Sequence, residues 1–263
     1  MASQEWKQEL VRIAGIEMPV IKGGSGAPLL VLHDELGYAG WLNWQRALAK
    51  ERTLVIPFAP GFGQTPRLGW IENVRDLACF YARFLREQGL ERADVIGFSF
   101  GGWVAAEMIA NNPAQFRRSV LVAPGGIKPA EGEIMDLFQV PADKYLNATV
   151  HNRAATPEFG ILYGGESTPE QFEAWDDARA EFSRIAWQPY FHTPSLPYLL
   201  ESAGKVESLI VWGRDDRVIP HAAIAAYHRA LSGSKLAILD NCGHRPEIEQ
   251  TGQFVSTVTN FLR

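Results

Sequence analysis

Short apolar runs recur along this chain, and between them the apolar positions take up a helical spacing. Leu10 to Ile13 and Met18 to Ile21 flank Gly15 as an antiparallel edge pair would. Pro28 to Leu32 is continuously apolar, the mark of a strand buried on both faces. Thr53 to Phe58, Ala93 to Phe98, Ser119 to Ala123, Ser208 to Trp212 and Lys235 to Leu239 read as further strands. Helical patterns follow them over 41–50, 73–88, 101–111, 220–231 and 248–262. In the second of these, Leu77, Phe80, Tyr81 and Phe84 share one face and Gly89 supplies the stop. In the third, Val104, Met108 and Ile109 share a face. Strands alternating with helices predict a doubly wound α/β fold, a parallel sheet with helices on both faces. Such sheets bind ligands at the carboxyl ends of their strands.

From about Ile127 to Val206 this alternation stops. The segment is rich in aromatic residues and prolines, with one helical stretch from Pro169 to Trp187. It predicts a helical lid over the strand ends, so that residues 1–126 and 207–263 form the core and 127–206 the lid. Composition narrows the function. With 46% apolar and 21% charged residues the chain is ordinary for a globular enzyme with a large core. A net charge of −5 without a Lys/Arg cluster argues against nucleic acid or anionic lipid as partner and leaves a small molecule. The polar start, Met1 to Lys7, lacks a signal-peptide core, and no apolar run reaches membrane-spanning length. Two cysteines, Cys79 and Cys242, are too few for a disulfide scaffold or a thiolate metal site. They predict free thiols in a reducing, cytoplasmic setting. Oligomeric state is not legible.

Gly97-Phe98-Ser99-Phe100-Gly101 has the form G-x-S-x-G and lies between a strand and a helix. A serine at such a corner sits on a strained turn beside the helix N-terminus, with the Phe100 N–H next to its hydroxyl. Gly97 and Gly101 suit it, because side chains there would collide as strand and helix close in. A serine hydroxyl needs a base, and the base needs an orienting acid. Two later strand-end loops offer them: Asp215 or Asp216, then His244. The order Ser…Asp…His is the one used on doubly wound hydrolase sheets. The other aspartate would turn to solvent or pair with Arg214 or Arg217.

These pieces resemble the α/β-hydrolase fold superfamily. The likeness rests on His33 to Gly37, on Pro60-Gly61-Phe62-Gly63, on the elbow at Ser99, on Trp212-Gly213-x-x-Asp216-x-x-x-Pro220 and on Gly243-His244-x-Pro246-x-x-Glu249. It covers the chain from about residue 28 onward, the lid excepted. The resemblance implies a mostly parallel eight-stranded sheet, a lid after strand six, Asp216 rather than Asp215 as the acid, and no cofactor or metal. It also implies that the residue two after His33, Glu35, gives a second backbone N–H to the oxyanion hole. Asp34 and Glu35 depart from the family's usual loop. Either the Glu35 carboxylate turns away or meets a polar group of the substrate, or both acids are solvated. Ala59 stands where the family often has Asp.

Serine at position 99 favours acyl chemistry, since relatives that need an alkyl-ester intermediate carry aspartate there. The reading is a serine hydrolase of a small, partly apolar ester, lactone or related acyl compound. Hydrolysis of a C–C bond in a dicarbonyl compound by the same triad is the alternative, and a non-catalytic ligand-binding role is the alternative of another class. Candidate pocket residues are His33, Tyr38, Trp41, Trp103, Trp187, Phe191 and His192.

Overall fold

The computed structural model describes residues 5–163, 168–202 and 206–263. Met1 to Gln4 of the polar start, and residues 164–167 and 203–205 of the expected lid, lie outside them. Eight strands form one sheet: β1 (Trp6–Ile13), β2 (Ile16–Gly24), β3 (Ala27–Leu32), β4 (Arg52–Pro57), β5 (Ala93–Phe98), β6 (Phe116–Val122), β7 (Glu207–Gly213) and β8 (Lys235–Leu239). Their spatial order is β1-β2-β4-β3-β5-β6-β7-β8. β2 runs antiparallel to β1 and β4, and every other pairing is parallel. Sequence and structure agree to the residue for β5 and β8. Those runs are short, apolar and bounded by turn residues, so nothing competes with the strand.

Two helical layers cover the sheet. α1 (Asn43–Leu48) packs with α10 (Thr251–Leu262), while α2 (Val74–Glu87) packs with α3 (Phe100–Asn111). α1 is shorter than its pattern. The expected last helix is divided at Gln250 into α9 (Pro246–Glu249) and α10. α2 begins where its sequence says, with the Asn73 side chain accepting from the Asp76 N–H as N-cap. α3 differs from the one-faced reading: Phe100 to Ile109 are all buried, because a second helix layer covers the face that would otherwise meet solvent.

Between β6 and β7 lie α4 (Ala142–Ala148), α5 (Pro157–Tyr163), α6 (Pro169–Ala186) and α7 (Leu196–Ser202). α7 packs on α3 and on α8 (Ala222–Ala230), within the layer of the core helices. Among the described residues no helix is long and apolar enough to cross a membrane. The parallel register brings the ends of the strands into line. Gly97 pairs with Leu32 and Leu121, Val122 with Val211, and Gly213 with Leu239. The loops after β3, β5, β7 and β8 therefore leave the sheet on one edge.

Candidate active site

Ser99 follows β5 with φ +49°, a left-handed conformation that a non-glycine residue holds only when its surroundings enforce it. Its N–H donates to the Val122 carbonyl at 2.9 Å, and its carbonyl accepts from Trp103 and Gly125 at 3.1 Å each. A methyl group at Gly97 would stand 2.2 Å from the Gly101 carbonyl oxygen, and one at Gly101 would stand 2.4 Å from the Leu32 and His33 carbonyls. Strand, turn and helix thus close at distances that only glycine permits. The Ser99 side chain does not cap α3. It faces His244, with Oγ 2.9 Å from Nε2.

His244 Nδ1 lies 2.7 Å from Asp216 Oδ2. Asp216 Oδ1 accepts from the Val218 and Ile219 N–H groups at 2.8 and 3.0 Å. Asp216 stays acceptor-only in these contacts, so Nδ1 carries the proton and Nε2 is free to take one from Ser99. Burial opposes the charged imidazolium, but the charge and hydrogen bond of Asp216 outweigh it, and His244 is raised above the ordinary histidine value. Asp215 turns outward, its Oδ2 3.1 Å from His151 Nδ1. Of the two alternatives expected of it, solvent or a pair with Arg214 or Arg217, it takes the outward turn and not the arginine pair. Arg214 pairs with Asp240, and Arg217 donates to the carbonyls of Asn147 and Val150.

The loop carrying His244 is tied to the segment after α4. The His244 N–H donates to the Thr149 carbonyl at 2.8 Å. Glu249 accepts from the N–H groups of Gly243 and His151 at 2.5 and 2.6 Å. Glu249, the last residue of the Gly243-His244-x-Pro246-x-x-Glu249 pattern, thus fastens this loop, a role its sequence context does not announce.

Asp34 and Glu35 are both interior, 5% and 2% exposed, which corrects the solvated alternative. The turn is closed by Gly37 N–H to Asp34 O at 3.2 Å and Leu36 N–H to Asp34 Oδ1 at 2.9 Å, bonds that do not involve the Glu35 N–H. Asp34 pairs with Arg245 at 2.8 Å. Arg245 also binds Glu247 and the Tyr163 hydroxyl. Burial pushes Asp34 up to about 6 even with Arg245 beside it, and neighbouring Glu35 adds to the rise. Glu35 Oε1 accepts from the Tyr145 hydroxyl of α4, while Glu35 Oε2 is buried with no hydrogen-bond partner among the described residues. Arg245, Glu247, Tyr145 and Tyr163 were not foreseen. The acid pair beside the serine was the one signal that a cation should lie near, and Arg245 follows His244 directly.

The pocket candidates divide. His33 uses both ring nitrogens on the backbone, Nδ1 at 2.7 Å from Asp34 O and Nε2 accepting from Ala59 N–H at 3.1 Å. Burial lowers its pKa, in keeping with an accepting Nε2. It braces the loop, and its ring also forms part of a small cavity wall. Trp41 is a correction. Its ring packs on Trp6 and against Gly23, which pairs with Leu54 of β4, well back from the carboxyl edge. Trp187 is exposed against Phe138 and Tyr190, on the outer side of the insertion. Trp103 and Phe191 are buried together beneath the elbow, ring centroids 6.0 Å apart, and Trp103 meets Phe100. Tyr38 lines a small cavity with His33, Asp34, Arg245 and Glu247. His192 lines a surface groove with Arg75 and Gln188. Among the described residues no cluster of three or more His, Cys, Asp or Glu could hold a metal ion.

Comparison with known proteins gives a consistent picture. A model described as "Alpha/beta hydrolase family" matches residues 29–257. The chain is 26% identical to a 2-hydroxymuconate semialdehyde hydrolase of Pseudomonas sp. strain CF600, covering 99% of this chain and 95% of that protein. It is 27% identical to a 2-hydroxy-6-oxo-2,4-heptadienoate hydrolase of Pseudomonas putida, over 96% of this chain and 95% of that one. Among solved structures, a bacterial membrane phospholipase A superposes with TM-score 0.81 at 25% identity, over 98% of this chain and 86% of that chain. A meta-cleavage product hydrolase of Pseudomonas fluorescens IP01 superposes with TM-score 0.79 at 21% identity, over 97% of both chains, a likeness of fold.

Proposed function

Since the chain belongs to the alpha/beta hydrolase family and is a hydrolase, we propose that it cleaves a small, partly apolar ester, lactone or related acyl compound through an acyl-enzyme on Ser99. The observation that carries this is the hydrogen-bonded run Ser99–His244–Asp216, with 2.9 and 2.7 Å links.

His244 Nε2 takes the proton of Ser99 Oγ as that oxygen bonds to the substrate carbonyl carbon. The carbonyl oxygen gains the electron pair and is held by the N–H groups of Phe100 and Glu35. Asp216 stabilises the imidazolium that has formed. His244 then gives its proton to the departing alkoxide and the acyl-enzyme remains. Water, deprotonated by His244, attacks the acyl carbon. The proton returns to Ser99 as the acid leaves. Ser99 and His244 are each 2% exposed, so α4 to α6 act as a lid that opens for the substrate.

The relatives named for semialdehyde and dienoate cleavage favour a second reading, C–C hydrolysis of a dicarbonyl compound by the same triad. The test is turnover of p-nitrophenyl acetate and butyrate against turnover of a 2-hydroxy-6-oxo-dienoate, in wild type and Ser99→Ala. Ester turnover that disappears in Ser99→Ala supports the first reading. Turnover of the dienoate alone supports the second. Turnover unchanged in Ser99→Ala overturns both.

A further inference from the structure

Resting on the acyl chemistry proposed above, we infer that Glu35 makes the substrate site charge-selective: its side chain receives a hydrogen-bond donor or cationic group of a neutral or positively charged acyl substrate and turns away substrates that carry a carboxylate. Glu35 is 2% exposed, with Oε1 taken by Tyr145 and Oε2 unpartnered. A buried carboxylate oxygen with no donor is costly to the fold and calls for a partner; Glu107, Glu158 and Glu247 each carry one as well, and Glu35 is set apart by its place near the reacting centre. Three positions tie this oxygen to the reacting centre. The residue stands two after His33, where its own N–H serves the oxyanion. It lies near enough to His244 to add, after Asp216, to the rise of that histidine above its ordinary value. Its partner Tyr145 belongs to α4, whose following residue Thr149 accepts from the His244 N–H.

The surrounding charges point the same way. Asp34 and Glu247 share one guanidinium, that of Arg245, and Glu35 adds a third carboxylate near Asp34. Arg179, which shares a cavity wall with Tyr145, donates to the Leu137 carbonyl at 2.7 Å and to Asp176 at 3.4 Å, and its buried Nε, without a partner among the described residues, is a donor of that guanidinium left for an anion to contest. His33 has both ring nitrogens on the backbone. A substrate carboxylate would enter a poorly solvated space that already holds excess negative charge, where like charges repel strongly. A hydroxyl, amide N–H or ammonium would instead supply the donor that Glu35 Oε2 lacks.

The test compares kcat/KM for p-nitrophenyl hexanoate, its cationic 6-aminohexanoate analogue and its anionic adipate monoester, each corrected for spontaneous hydrolysis. In wild type the adipate ester is expected about 100-fold below the hexanoate, and the aminohexanoate at or above it. In Glu35→Gln the anion-to-neutral ratio should rise about tenfold and the cation-to-neutral ratio should fall. Ratios are read because the Glu35 backbone also serves the oxyanion. Asp215→Asn, a surface charge deletion, should leave them unchanged. An adipate ester cleaved as well as the hexanoate by wild type overturns the inference, even where Glu35→Gln does not fold. Ratios unmoved in a folded Glu35→Gln overturn it too. In both cases hexanoate turnover keeps the acyl reading standing. No turnover of any ester and no adduct on Ser99 would remove the acyl reading and the inference with it.

Discussion

Two buried carboxylates flank the triad histidine, and their surroundings contrast. Asp216 has both oxygens engaged, by His244 on one side and by two backbone N–H groups on the other. Glu35 has one oxygen on Tyr145 and, among the described residues, no partner for the other. A satisfied network locks one geometry, and that is what a histidine needs to present Nε2 to a serine. A half-satisfied one keeps a place for a group from outside. One acid is thus locked on His244, while the other keeps an oxygen without a donor among the described residues.

The contrast is broken most severely at the first acid. Ser99→Ala should lower kcat by about 10⁵-fold, and Asp216→Asn by about 10⁴-fold, since an amide no longer fixes the tautomer of His244. Asp216→Asn should also shift the pH profile. Asp216 raises His244, and the base works only when neutral, so wild-type kcat/KM climbs with pH through a midpoint above about 6.5. In the variant that midpoint moves down. Asp215→Asn, beside it in sequence, should change kcat by less than about threefold, because its carboxylate faces His151 and solvent. Equal losses in the two aspartate variants would erase the distinction between them.

Weaker effects sharpen the picture of the second acid. Tyr145→Phe removes the one donor to Glu35 and should cost about 1–3 kcal/mol in denaturant unfolding. Asp34→Asn tests the acid cluster through pH. Asp34 sits at about 6 in the fold against 3.8 ordinarily, so the folded state binds this proton more tightly than the unfolded chain. Its contribution to stability therefore improves as pH falls from about 7 towards 4. The melting temperature of wild type minus that of Asp34→Asn should be more positive at about pH 5 than at about pH 7.5. A difference that does not move with pH would put Asp34 at its ordinary value.

What sequence reveals follows how local the cause is. β5 and the elbow were legible because buried strands are apolar runs and a close strand–helix approach demands Gly97 and Gly101. Asp216 and His244, which the fold brings into line with Ser99, were legible as residues of the right type in strand-end loops. The fate of Asp34 and Glu35 was not. It depends on Tyr145, which is 110 positions from Glu35, on an insertion whose pattern predicts only one helix. Trp41 misled for a related reason: nearness to the oxyanion loop in sequence says nothing of its packing on Trp6 and Gly23. Asp215 turned to His151 because the segment after α4 is fastened beside it by Glu249 and His244, contacts that only the folded insertion creates.

The most direct measurement is intact mass after exposure to a serine-reactive fluorophosphonate, with peptide mapping of wild type and Asp216→Asn. The account predicts one adduct per wild-type chain, on Ser99, formed much more slowly in the variant. An unlabelled wild-type chain, or an adduct on another residue, would contradict it.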